Sequence, residues 1–129
     1  MKLNHECVRK CLLVLEENIG VTNAVDSNKL INTLDYDKDE AFYALQKLSE
    51  EGFIIGGPTV LYTIGEAQKH CAPITGITWK GHEYLDTIRD DKIWKKAKSA
   101  TSSLKSVSLS VMKDVASHFL TEYIKGNLM

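Results

Sequence analysis

The chain has 129 residues, 43% of them hydrophobic and 26% charged, with sixteen basic against seventeen acidic side chains. That length fits one domain burying about two-thirds of its unfolded surface, and the composition, with no excess of Pro, Gly or Gln, excludes a disordered chain. A net charge of −1 gives the molecule as a whole no electrostatic claim on nucleic acid or membranes, so any such claim must come from local patches.

The charge is unevenly spread. Residues 1–58 carry six Lys/Arg against ten Asp/Glu, and residues 59–129 carry ten against seven, so an anionic partner would meet the second half. The apolar run Cys11 to Leu15 is closed by Glu16 and Glu17, too short for a signal peptide, and no stretch approaches the ~18 apolar residues of a membrane span. Three cysteines, an odd number, point to reduced thiols and a cytoplasmic protein rather than a disulfide framework.

Asn4 can cap a first helix over about 5–18, with Val8, Cys11, Leu12, Leu15 and Ile19 at three- and four-residue steps and Gly20 placed to end it in the left-handed conformation. Val21 to Val25 is a short β-compatible link. Asp26 or Ser27 then caps a short second helix carrying Leu30, Ile31 and Leu34. Asp37 followed by Glu40 resembles a capping box and opens a third helix with an apolar face of Ala41, Ala44, Leu45 and Leu48, ending at Gly52.

Phe53 to Ile55 reads as a strand, Gly56-Gly57-Pro58 as a turn, and Val60 to Ile64 as a second strand. After a polar loop with Gly65 and Pro73, Ile74 to Thr78 reads as a third. Three helices followed by a β-hairpin is the order of a winged helix, so the fold class is α+β, mainly α. Thr78 can cap a fourth helix with Tyr84, Leu85 and Ile88 on its buried side, and Gly81 would let it sit close to its neighbour. From Lys92 to Ser106 there are five lysines and no acid, which reads as a helix start around Trp94 dissolving into a linker. A last amphipathic helix spans Leu104 to Ile124. The expected division is a winged-helix domain with its fourth helix at 1–91, and a basic linker with C-terminal amphipathic helix at 92–129.

Residues 77–98, Ile-Thr-Trp-Lys-Gly-His-Glu-Tyr-Leu-Asp-Thr-Ile-Arg-Asp-Asp-Lys-Ile-Trp-Lys-Lys-Ala-Lys, resemble the signature block of an uncharacterised family common in phages and prophages. That family opens, as this chain does, with Met-Lys-Leu-Asn. The resemblance implies a winged-helix-like fold and a phage or prophage setting, with no assigned activity. Where the family's third helix often carries Tyr-His, this chain has Tyr43-Ala44, so any role for that His is absent here.

Cys7 and Cys11 with His70-Cys71 offer four zinc-type donors, but the spacing is not that of a zinc finger and Cys11 lies on an apolar face, so packing is the preferred reading and no metal or other cofactor is expected. His82 and Asp86, at i and i+4, have no second cluster to work with, and no catalytic residue is named. Trp79, Tyr84 and Trp94 read as a packed hub. Gly56-Gly57-Pro58 lacks the Lys-Ser/Thr of a phosphate-cradling loop.

What remains is binding, with DNA or a protein as the partner. A DNA-reading winged helix would use the third helix, here Lys38, Tyr43, Gln46 and Lys47, with Lys69 near the wing tip and Lys92, Lys95, Lys96 and Lys98 on phosphates. Six acids against two lysines between Asp35 and Glu51 oppose that approach. A protein partner would dock on Phe42 and Tyr43 beside those acids. The C-terminal stripe through Val111, Val115, Phe119 and Tyr123 must be covered, and a homodimer through that helix is expected.

Overall fold

The computed structural model describes residues 1–128. Helix α1 (His5–Asn18) starts where the Asn4 side-chain carbonyl accepts from the Cys7 N–H, and its inner face is Cys7, Val8, Cys11, Leu12 and Leu15. It ends with Ile19 extended. Gly20 does not take the expected left-handed conformation, because Gly20 and Asn23 exchange backbone hydrogen bonds in a turn instead. Helix α2 (Ser27–Thr33) is capped by Asp26, which accepts from the Asn28 and Lys29 N–H groups. Helix α3 (Lys38–Glu50) is capped by Asp37 and buries Ala41, Phe42, Ala44, Leu45 and Leu48. Its exit needs Gly52 at φ +74°, a conformation that side chains resist, so that the Phe53 N–H can return to the Leu48 carbonyl.

Strands β1 (Ile54–Thr63) and β2 (Glu66–Ile77) form one long antiparallel hairpin, with Ile54 opposite Ile77 and Thr63 opposite Glu66. This differs from the three short strands expected. Gly56-Gly57-Pro58 is no turn but a bulge inside β1: both glycines have positive φ, the register shifts between Ile55 and Pro58, and a Cβ on Gly56 would overlap the Pro73 carbonyl. The expected polar loop is the distal part of β2. The link before α2 contributes Val25, which bridges to Ile74 on β2.

Helices α4 (Trp79–Ile88), α5 (Asp91–Thr101) and α6 (Leu109–Leu128) complete the chain. Most of the expected basic linker is α5, since Asp90 caps it and Ile93, Trp94, Ala97 and Thr101 make a stripe that buries. Only residues 102–108 connect it to α6. That last helix starts at Leu109 rather than Leu104 because the Ser108 hydroxyl accepts from the Val111 N–H.

One contiguous apolar cluster joins α1, α3, the hairpin base, α4, α5 and the first half of α6, from Leu12, Leu45, Ile74 and Leu85 to Trp94, Met112 and Ala116. The described chain is thus α+β and mainly helical, six helices and one hairpin. No helix among the described residues is long and apolar enough to cross a membrane.

Candidate functional site

Helix α3 turns Tyr43, Gln46, Lys47 and Glu50 outward, and β1 faces them with Pro58, Val60 and Tyr62 across a groove of about 610 Å³. Three of the residues singled out from sequence therefore share one wall. Tyr62 is 81% exposed, and Leu61 and Ile64 beside it near the hairpin tip are also exposed. Tyr43 lies half-buried beneath the Lys47 ammonium, 5.1 Å from the ring centroid. On the other flank of α3, Lys38, Phe42, Lys69 and Cys71 line a second recess of about 520 Å³. Phe42, expected as an exposed anchor, is a core residue only 6% exposed, because it shares the inner helical face with Ala41, Leu45 and Leu48.

Two of the three lysines of this surface are already engaged, while Lys38 is exposed and in none of the ion pairs among the described residues. Lys47 Nζ sits 2.8 Å from a Glu50 oxygen, and Lys69 Nζ sits 2.5 Å from an Asp39 oxygen and 5.2 Å from the Phe42 ring centroid. Exposed pairs like these contribute at most about 1 kcal/mol to stability. Their larger effect is to set a carboxylate beside the Lys47 and Lys69 ammoniums, which would have to approach a phosphate.

Helix α5 is different. Lys92, Lys95 and Lys96 are exposed on its outer face, and none of the ion pairs among the described residues uses them. Lys98 does not join that face: it is half-buried, 4.0 Å from Glu6 and 5.9 Å from the Trp94 ring centroid.

The block 77–98 is mostly accounted for by packing. A Cβ at Gly81 would overlap the Phe53 carbonyl, and Tyr84 is fully buried and stacked on Phe53 at 5.3 Å. Burial pushes the Tyr84 phenol above the ordinary tyrosine range, and its hydroxyl has no partner among the described residues. Arg89 pairs with Glu16 and Asp86, so Asp86 serves an ion pair rather than a metal-binding or catalytic pair with His82. The Arg89 guanidinium holds the Glu16 carboxyl below its usual range. Arg9 donates to the Ile88 and Arg89 carbonyls and to Asp91, each at 2.7 Å, closing the end of α4. Neither Arg9 nor Glu6 is signalled by local sequence, since their partners lie some eighty residues away. Trp79 corrects the packed-hub expectation: it is 82% exposed, whereas Tyr84 and Trp94 are buried.

Cys7 and Cys11 lie in the core with Cys71 half-buried on the hairpin. The hydrogen bond with the neighbouring Cys7 sulfur, and then burial, push the Cys11 thiol well up. No group of three or more metal-ligating side chains is gathered among the described residues. On α6, Val111 and Tyr123 are exposed, but Val115 and Phe119 are half-buried against the chain's own core. A cavity of about 630 Å³ lies where Tyr43 and Phe53 face Leu3, Val107 and Leu109.

A family described as "Hypothetical protein (DUF2513)" matches residues 2–108. A protein of Haemophilus influenzae described as uncharacterized is 26% identical over 125 residues, which is 96% of this chain and 99% of that protein. No solved structure matches the chain.

Proposed function

The chain belongs to the DUF2513 family, and from that premise we propose that it is a non-enzymatic winged-helix regulatory protein that binds another protein through the α3–hairpin groove. The order of three helices and a hairpin supports the winged-helix reading. A phage or prophage setting rests on the likeness of the 77–98 block, and a cytoplasmic location on the three free cysteines. Binding rather than catalysis is supported by four of the perturbed titratable groups: Cys11 and Tyr84 are sealed in the core, while Glu16 and Arg89 satisfy one another.

One observation carries the choice of a protein over duplex DNA. Of the three lysines that α3 and the hairpin present, Lys47 and Lys69 are held by Glu50 and Asp39 and only Lys38 is unpaired among the described residues, while Tyr62, Leu61 and Ile64 stand exposed near them. Aromatic anchors flanked by acids suit a basic protein surface. The test is capture from host lysate by the full chain and by Tyr43→Ala/Tyr62→Ala, with and without nuclease. A partner that survives nuclease and is lost with the double variant is the expected result. A partner lost on nuclease treatment overturns the reading.

A second reading is kept for one observation, the unpaired face of Lys92, Lys95 and Lys96 on α5. It places duplex DNA there, sequence-independent and steeply salt-dependent. Replacing those three by Ala would then abolish binding, whereas Lys47→Ala/Lys69→Ala would leave it unchanged.

A further inference from the structure

Among the described residues, three polar side chains are buried: His5, Ser27 and Thr101. Ser27 donates to the Ala72 carbonyl and Thr101 to that of Ala97. His5 is satisfied on one side only. Its Nε2 lies 2.6 Å from the Val107 carbonyl oxygen, in the connection between α5 and α6, and its Nδ1 reaches neither a partner nor solvent. A carbonyl can only accept, so the proton sits on Nε2 and Nδ1 is bare. The contact joins the first residue of α1 to a point 102 residues later.

The surroundings oppose a second proton. The charged groups around the ring are Lys98 of α5, Lys2 of the N-terminal segment and Lys105 of the connection, which line a 250 Å³ recess with His5, and no carboxylate lines it. Glu6, next to His5 on α1, is occupied by the Trp94 indole and by Lys98. A proton on Nδ1 would therefore lie buried without an acceptor and among cations.

We propose that His5 is an acid-sensitive latch: neutral, it fastens the 102–108 connection, and through it the start of α6, to the first turn of α1; protonated, it lets that connection go. Release would free Val107 from α1 and loosen the start of α6, around Leu109 and Met112, where it packs on α4 and α5, and would move Val107 and Leu109 in the wall of the 630 Å³ cavity. Burial holds the closed-state imidazole below its ordinary 6.5, with the Val107 contact opposing and Lys98 assisting. The open state takes up its proton at the ordinary value. The latch is therefore fully closed above that pH and weakens as pH falls below it, until the closed state's own lowered value is reached.

The experiment is hydrogen exchange on the full chain between pH 7.5 and 5, corrected for intrinsic rates, comparing the wild type with His5→Gln. The glutamine amide can donate to the Val107 carbonyl but does not titrate. In the wild type, the opening constant for amides of Leu109 to Ala116 should rise with acidification, by at most tenfold per pH unit for one proton, relative to amides of α3. In His5→Gln it should stay flat, and an equal rise there overturns the proposal. Should the variant fail to fold, NMR titration of the wild-type imidazole decides alone, with His70, His82 and His118 in the same spectrum. A His5 midpoint below 6.5 supports the latch, and one at or above it overturns it.

Discussion

The Trp94 indole N–H donates to a Glu6 carboxylate oxygen 2.9 Å away, so that helix α5 is fastened to the first turn of α1. Arg9 stacks over the same indole at 5.6 Å and Lys98 at 5.9 Å, which makes Trp94 a junction of hydrogen bonding and cation–π contact. Hydrogen bonds to charged groups contribute about 1.5–3 kcal/mol, and partial exposure of Glu6 favours the lower end. Trp94→Phe should lower the urea midpoint by an equivalent of about 1–2 kcal/mol, without change in the helical signal of the folded protein. A midpoint equal to that of the wild type would show the indole hydrogen bond to be ornamental.

Gly81→Ala should be far more damaging than its one methyl suggests. The new Cβ meets the Phe53 carbonyl and Ile77, and backbone cannot rotate away as a flexible side chain can. A loss of about 3 kcal/mol or more is expected. Gly52→Ala is the contrast: nothing lies near its Cβ, and only the positive φ is penalised, by about 1–2 kcal/mol. Thermal unfolding of the two variants side by side checks the order.

Glu16 and Arg89 give a pH-dependent contribution on the acid side. The folded-state carboxyl is lowered from 4.5 by Arg89, so the stabilisation is present above pH 4.5 and fades as pH falls through the folded-state value. Both side chains are about one-third exposed or more, which limits the effect to about 1 kcal/mol or less. In urea titrations, the stability gap between wild type and Glu16→Gln should be widest near neutrality and close towards pH 3. A gap that widens on acidification would reverse the sign and refute the pairing.

Self-association through α6 should depend on its outward residues. Val111, Tyr123 and Ile124 are exposed, whereas Val115 and Phe119 pack partly on the core and would report folding as much as association. Tyr123→Glu with Ile124→Lys should give a folded monomer from a dimeric wild type by light scattering. A wild type already monomeric at tens of micromolar removes the dimer.

Helix positions and caps were legible where one local rule sufficed: Asn4, Asp26, Asp37 and Thr78 each accept the backbone N–H groups their sequence positions suggest. The hairpin was harder. Two glycines and a proline signal a turn equally well as a bulge, and only the partner strand, with Pro73 pressed against Gly56, decides between them. The lysine run hid the α5 stripe, since charge dominates a linear reading while burial depends on Ile93, Trp94 and Ala97 meeting one neighbour. At the candidate site Tyr43, Gln46 and Lys47 were found by helical position, but Tyr62 was not, because only the fold brings the hairpin opposite α3. Arg9 and Glu6 could not be found locally at all.

The reach of α1's contacts bears on how the chain is made. Glu6 waits for Trp94, 88 residues later, and His5 for Val107, 102 residues later. At ribosomal rates of about 5–20 residues per second, the first helix emerges roughly 4–18 s before its indole partner is synthesised. During that interval its face of Cys7, Cys11, Leu12 and Leu15 can pack on α3, its main neighbour, but the two long-range fastenings of its first turn cannot form. Nascent chains arrested before residue 94 should therefore hold α1 against α3 but with its first turn open to exchange, and those arrested with residue 107 clear of the ribosome should protect that turn.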